Sequence, residues 1–317
     1  METKNSWKAW IYLAPALVLL AVFTFYPMVN TIVLSFFDDY KMTTAIAGTY
    51  QYKIGIKNYI KVVTENQYFW QGFANTAILA VVTVPLSTIL ALLIAVALNS
   101  IKVLQRFIQT IFFLPYVTNA IAIGMVFAMI FNVLQTGTTV TDIGLFNRLL
   151  EALKIEPKVW LSVGNRPFWE SWDAFSIWGR KIFVVTVYIV WNALPFKILI
   201  LLGALQSVNK QYYEAAKVDG TTRKRIFMKI TVPLISPMLA YVIITGFIGA
   251  FKEYSSVVGI FGEDLNMYGM STMVGFIYDS IEGIWTGRAA AGAVLLFLLI
   301  LVLTGIQFLV SKKKVHF

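Results

Sequence analysis

The sequence predicts an all-α fold, a polytopic membrane helix bundle of about six transmembrane helices with both termini in the cytoplasm. Three observations predict it. Of the 317 residues 58% are hydrophobic and only 13% charged, against roughly 25% charged in soluble domains. The apolar residues gather in long continuous runs. The basic residues gather in alternate segments between those runs.

A helix needs about 20 apolar residues to cross the hydrocarbon core. The stretches 10–37, 73–98, 107–131, 182–206, 237–260 and 289–310 qualify. The first and fifth are interrupted by polar, Gly or Pro positions, so their ends are soft. Barrel strands would instead alternate at period two over about ten residues. The first run follows a basic start, but it is too long for a cleaved leader and no A-x-A site follows it. It is read as a retained span.

Orientation follows from Lys and Arg. With the N-terminus inside, the inner segments hold Lys4, Lys8, Lys102, Arg106, Lys210, Lys217, Arg223, Lys224, Arg225, Lys229, Lys312, Lys313 and Lys314. The acids there are Glu2, Glu214 and Asp219. The outer loops mix acids such as Asp38, Asp39, Glu65, Glu151 and Glu263 almost evenly with bases. The positive-inside rule then puts both ends in the cytoplasm. The net charge of +10 sits on that face and does not indicate a nucleic-acid partner. The outer segments 38–72 and 132–181 are long. Trp160, Trp169, Trp172 and Trp178 in the second predict packing at the membrane interface.

Several chemistries are excluded. There is no cysteine, so disulfides, iron–sulfur clusters and thiolate metal sites are ruled out. The one histidine is His316, and no acid or histidine cluster has metal-ligand spacing. No G-x-x-x-x-G-K-[ST] loop cradles a nucleotide. Ser207 and Ser236 have no histidine to activate them. The chain reads as a non-catalytic membrane protein.

The cytoplasmic segment 207–236 reads as a helix–turn–helix. Asn209 caps a helix over 210–218, and Asp219-Gly220 is a turn. Thr221 or Thr222 caps a second helix with Ile226, Phe227 and Ile230 on one face. Pro233 and Pro237 then lead back to the membrane. Two readings stand: a basic amphipathic helix on anionic lipid, and a rigid protrusion that docks into a soluble motor. A DNA-reading helix pair is poor, because spans tether both ends.

At these residues the chain resembles ABC-importer permeases. The spaced set Glu214-Ala215-Ala216, Asp219-Gly220, Phe227, Ile230 and Pro233 looks like their EAA loop. The opening run, the segment Gly55-Ile56-Lys57-Asn58-Tyr59, Asn75-Thr76, the stretch FFLPY at 112–116, GLFNRLL at 144–150, Trp160-Leu161 and the ending GRAAAGAVLLF are similar to the carbohydrate-uptake, MalF/UgpA-like members. The chain departs from that pattern at 163–181, which is longer than usual. The resemblance implies a single permease domain over 1–317 with a coupling loop at 207–236. It implies that Glu214, Ala215, Ala216, Asp219 and Gly220 meet an ATPase groove. It also implies a heterodimer with a related permease, two ATPase subunits that bind ATP and Mg, and an extracellular binding protein. No cofactor is expected in this chain.

Polar groups inside spans are costly and face a cavity or a partner. The fourth run holds Trp191, Asn192, Pro195, Phe196 and Lys197; the fifth holds Gly246, Gly249, Ala250, Lys252, Glu253 and Tyr254. The third holds Thr118 and Asn119 after Pro115. A sugar site needs amide or carboxylate partners and aromatic platforms. Trp191, Asn192, Phe196, Glu253 and Tyr254 are that mixture. The resemblance places Asn192, Ala193, Phe196, Gly246, Gly249, Ala250 and Glu253 on positions that line the maltose-type cavity. Plainer roles stay open. Asn192 could serve a carbonyl freed by Pro195, the glycines could serve helix contact, and Lys252 and Glu253 could lie solvated at the outer interface. The expected function is import of a sugar or oligosaccharide across the bacterial cytoplasmic membrane. The alternatives are a permease for glycerol phosphate or a peptide, or an ATP-independent secondary transporter.

Overall fold

The structure is a computed structural model that describes residues 6–51, 53–101, 105–136 and 139–314. Lys4, Glu2, Lys102 and His316, used above, lie outside the described residues. Helices dominate, and the chain divides into two compact units, residues 1–70 with 276–299 and residues 71–275 with 300–317.

In the first unit, α1 (Ser6–Leu20) passes through a π turn (Ala21–Phe25) into α2 (Tyr26–Ser35). The wide turn has a local cause. Pro27 lacks an N–H, and its ring would strike the carbonyl four residues back. The helix widens, and Tyr26 N–H bonds Ala21 O instead. The side chains over residues 10–30 of this helix are exposed, Trp10 by 65% and Phe23 by 73%, as lipid rather than water would allow.

Helices α3 (Met42–Ile46) and α4 (Lys57–Thr64) follow. The Gly55–Tyr59 motif ties α4 to the end of α2. Asn58 is fully buried. Its Nδ2 donates to Ser35 O (3.1 Å) and Phe37 O (2.7 Å), and its Oδ1 accepts from Asp39 N (3.2 Å). Tyr59 OH and Ser35 Oγ lie 2.6 Å apart. Asp39 takes φ +52°, and its carboxylate pairs with Lys57 (2.6 Å) and Lys61 (2.5 Å). Those ammoniums hold its pKa below the usual value, Lys57 first and Lys61 next. Gly287 rests on Asn58, where a Cβ would come within 2.7 Å of Nδ2.

The second unit takes most of α5 (Gln67–Ser100), then α6 (Gln105–Val117) and α7 (Ala120–Phe131). The segment after α7, expected outside, is not a plain linker. It forms an antiparallel hairpin, β1 (Val133–Thr136) with β2 (Thr139–Ile143), and then α8 (Leu145–Ala152). Helix α9 (Trp172–Ser207) starts at Ser171, whose Oγ accepts from Ala174 N at 3.1 Å. Helices α10 (Lys210–Val218), α11 (Arg223–Ile226), α12 (Val232–Leu234), α13 (Ser236–Phe251) and α14 (Ser255–Phe261) come next. Helices α15 (Met273–Glu282) and α16 (Thr286–Lys314) complete the chain.

Among the described residues, four helices are long and apolar enough to span: Trp10–Ser35, α5, α9 and Thr286–Lys312. A fifth forms if Arg223–Leu234 and Ser236–Phe251, bent by 69°, count as one. Two expected runs differ. The run 107–131 breaks at Thr118-Asn119, because Asn119 Oδ1 accepts from Ile121 N (2.9 Å) and Ala122 N (3.2 Å) and so starts a new helix. The run 237–260 breaks after Phe251. Glu253 Oε1 accepts from Ser256 N at 3.1 Å and restarts the chain as α14. The two half-helices α7 and α14 pack against each other.

The outer tryptophans also differ from expectation. Trp178 is buried, and its Nε1 donates to Asn75 Oδ1 at 2.8 Å. Asn75 Nδ2 donates to Gly269 O (3.0 Å) and Ser271 O (2.8 Å). Trp160 Nε1 donates to Asn147 Oδ1 at 3.0 Å, and its ring packs on Phe131, Phe146 and Phe183. Both rings serve protein packing; Trp169 and Trp172 stay exposed.

Candidate functional site

Within the second unit a cavity of about 380 Å³ opens between α5, α6, α9 and α13. Asn192, Ala193 and Phe196 line one wall, and Gly246, Gly249, Ala250 and Glu253 line another. Thr83, Val84 and Ser87 come from α5, and Tyr116, Thr118 and Ala120 from the break between α6 and α7. The helix period explains the wall on α9. Residues 189, 192, 193, 196 and 197 share one face at spacings of three and four.

The same period removes two expected residues. Trp191 stands about 100° round the helix from Asn192. Its ring lies against Phe127, with centroids 5.7 Å apart, and it does not line the cavity. Tyr254 follows the helix break and packs on the apolar cluster around Tyr188 and Val257. Lys252 is exposed.

Tyr116 is a platform that sequence reasoning did not single out. Its ring stacks on Phe196 at 5.8 Å and 16°. Lys197, one of the polar residues of the fourth run, also lines the cavity. It is 5% exposed, and its Nζ donates to Ser87 Oγ (2.7 Å), Thr88 Oγ1 (3.0 Å) and Val84 O (3.3 Å). An ammonium has three protons, so these acceptors use them all. The lining thus holds two ionisable groups, the carboxylate of Glu253 and the Lys197 amine, which is bonded to neutral acceptors. The signal for this clamp was in α5, where Thr83, Ser87 and Thr88 are hydroxyls within an apolar run.

The surface segment after α9 is built as its turn chemistry requires. Asn209 Oδ1 accepts from Gln211 N at 3.0 Å and starts α10. Gly220 takes φ +65°, a conformation that costs other residues about 1–2 kcal/mol. Thr222 Oγ1 accepts from Arg225 N at 3.4 Å and starts α11. The second helix is not uniform, which corrects the single face expected for Ile226, Phe227 and Ile230. A π turn at Phe227–Thr231 lets Val232 N–H reach Phe227 O ahead of Pro233. Ile230 and Ala215, Ala216 and Asp219 line one groove, of about 300 Å³. Ile226 and Phe227 line a different cavity. Glu214 and Gly220 are exposed beside the groove and do not line it.

A polytopic helical bundle with a polar cavity between broken helices, and a basic helix pair outside it, defines a solute-transport membrane subunit. The chain belongs to the family of binding-protein-dependent transport system inner membrane components, which it matches over residues 84–316. It is 28% identical over 312 residues to the lactose transport system permease protein LacF of Rhizobium radiobacter, covering 96% of this chain and 94% of that one. It is 30% identical over 299 residues to the arabinooligosaccharides transport system permease protein AraP of Halalkalibacterium halodurans, covering 93% of this chain and 84% of that one. Its fold matches a chain in the crystal structure of a bacterial ABC transporter involved in the import of the acidic polysaccharide alginate. That match has a TM-score of 0.76 at 19% identity and covers 98% of this chain and 96% of that chain.

Proposed function

We propose that the chain is one of two related permease subunits of an ATP-driven importer for a neutral sugar or oligosaccharide. It would cross the bacterial cytoplasmic membrane six times with both ends inside, counting α6–α7 and α13–α14 as one span each. The observation that carries this reading is the cavity wall. It combines the amide of Asn192, the carboxylate of Glu253 and the stacked rings of Tyr116 and Phe196. Hydroxyls need such hydrogen-bond partners, and the apolar faces of sugar rings need such platforms. The sugar relatives LacF and AraP support the same class. Glycerol phosphate is disfavoured, since Glu253 repels an anion and Lys197 Nζ already donates to three protein acceptors that a phosphate would have to displace.

The chain itself is non-catalytic. Two ATPase subunits would hold ATP and Mg, and an external binding protein would deliver the sugar. Glu214, Ala215, Ala216, Asp219 and Gly220 would form the contact with the ATPase, since small alanines let α10 come close within a groove of that subunit. Closure of the ATPases would pull this segment and turn the cavity outward. The test is uptake by the reconstituted transporter. Glu253→Ala should lower sugar uptake at least tenfold, while Leu298→Ala on the exposed side of α16 should not. Glu214→Arg should abolish sugar-stimulated ATP hydrolysis. Normal uptake and hydrolysis in both site variants would overturn the proposal.

A further inference from the structure

A second cavity, of about 410 Å³, opens where the helices end. Its lining includes Asn99 and Ser100, the last two residues of α5, and Leu205, two residues before the end of α9. Those ends belong to spanning helices, so the cavity lies at the depth of the lipid headgroups. Its chemistry is divided. Val96, Leu205, Ile226 and Phe227 make one side apolar. Lys217 and Arg223 put two cations on the other, with Asn99, Ser100 and Tyr213 beside them.

Among the described residues, no carboxylate lines this cavity. Neither cation makes an ion pair with a described residue; those ion pairs join Asp39 to Lys57 and Lys61. Tyr213 and Lys217 are one turn apart on α10 and face the same way. Ala215, Ala216 and Asp219 face the other groove. The two sides of α10 therefore serve different surfaces.

We propose that this cavity binds the phosphate of an anionic phospholipid, with Lys217 and Arg223 on the phosphate and Val96, Leu205, Ile226 and Phe227 against the acyl chain. Two unpaired cations need an anion, and basic pockets between helix ends take such headgroups. The apolar wall distinguishes a lipid from free phosphate, which has no use for it. The volume equals roughly 13 waters, enough for a glycerophosphate headgroup. An acidic protein surface is the rival occupant. It is less suited, because the cations sit in a concave pocket whose other half is apolar.

The test uses the transporter purified in detergent with its associated subunits. Phosphatidylglycerol or phosphatidylcholine is added, and bound lipid is counted by native mass spectrometry. The wild type should hold phosphatidylglycerol more tightly than Lys217→Gln/Arg223→Gln by about 30-fold, at roughly tenfold per 1.4 kcal/mol and about 1 kcal/mol per basic residue. Lys217→Arg/Arg223→Lys, which keeps both charges, should restore retention. Lys210→Gln/Lys224→Gln, outside the lining, should change nothing. Equal retention of both lipids, or equal retention by the neutralised variant, would overturn the site. Displacement of the lipid by millimolar inorganic phosphate would reassign it to free phosphate. Loss of the ATPase subunits from the neutralised variant with lipid retention unchanged would reassign it to a protein contact.

Discussion

Gly124 of α7 and Gly259 of α14 touch backbone to backbone. A Cβ on Gly124 would lie 2.6 Å from Gly259 Cα, and one on Gly259 would lie 2.9 Å from Gly124 Cα. Carbon atoms prefer about 3.5–4.0 Å, and backbone cannot step aside as a side chain can. This contact packs together the two half-helices that follow the breaks at Asn119 and Glu253.

Gly124→Ala is therefore expected to destabilise the protein by about 1–3 kcal/mol, the usual cost of overpacking. Gly203→Ala on α9, where an added Cβ meets nothing within 4 Å, should be neutral or slightly stabilising. Melting temperatures of the two purified variants decide this. Equal melting would mean that the half-helices do not meet at these glycines.

The Lys197 clamp predicts an order of damage. Thr88→Val removes one acceptor and leaves a buried ammonium short of a partner, at about 1–3 kcal/mol. Lys197→Met removes the charge and keeps most of the volume. The hydroxyls of Ser87 and Thr88 then still reach Thr83 O (2.5 Å) and Val84 O (2.7 Å). Thr88→Val should melt lower than Lys197→Met. The reverse order would show that the ammonium does more than bridge α5 and α9.

Asn58→Ala should cost about 1–3 kcal/mol, since it removes the Asn58 donor from Ser35 O and leaves Phe37 O with Tyr40 N–H alone. Asn58→Asp should be no better, because a carboxylate accepts and cannot donate to either carbonyl. Faster proteolysis of the 36–41 segment in both variants is the expected readout.

Asp39 gives a pH prediction. Its pKa is lowered in the folded state from 3.8, first by Lys57 and then by Lys61. The stability from this pair is present above the unfolded value and is lost as pH falls through the lower folded value. Asp39→Asn tolerates the same left-handed backbone and removes only the charge. The melting difference from wild type should be full at about pH 6 and should close as pH drops below about 4. A difference that stays constant across that range would assign the effect to shape rather than charge.

Much of the local structure was legible. Asn209, Gly220 and Thr222 announce the bounds of the surface helix pair, because caps and left-handed turns depend on a few neighbouring residues. Asn192, Phe196 and Glu253 share one cavity, as their residue types suggested. The partners of the quoted motifs were not legible. Asn75 meets Trp178 across 103 positions and Ser271 across 196, and Asn147 meets Trp160. Each motif asparagine serves a buried junction, and nothing in its own neighbourhood names the other side.

The apolar runs and the segregation of Lys and Arg established the membrane helices, because transfer into lipid depends on the composition of each run. Where those runs break was a tertiary decision. The chain stops at Asn119 and at Glu253, and the shorter helices that follow are packed together by Gly124 and Gly259. The face of α9 that lines a cavity was likewise legible as a period, while the burial of Lys197 by Ser87 and Thr88 required α5 beside it. Local preferences act on consecutive residues; a buried charge and a glycine contact are stable only when two distant segments supply both halves.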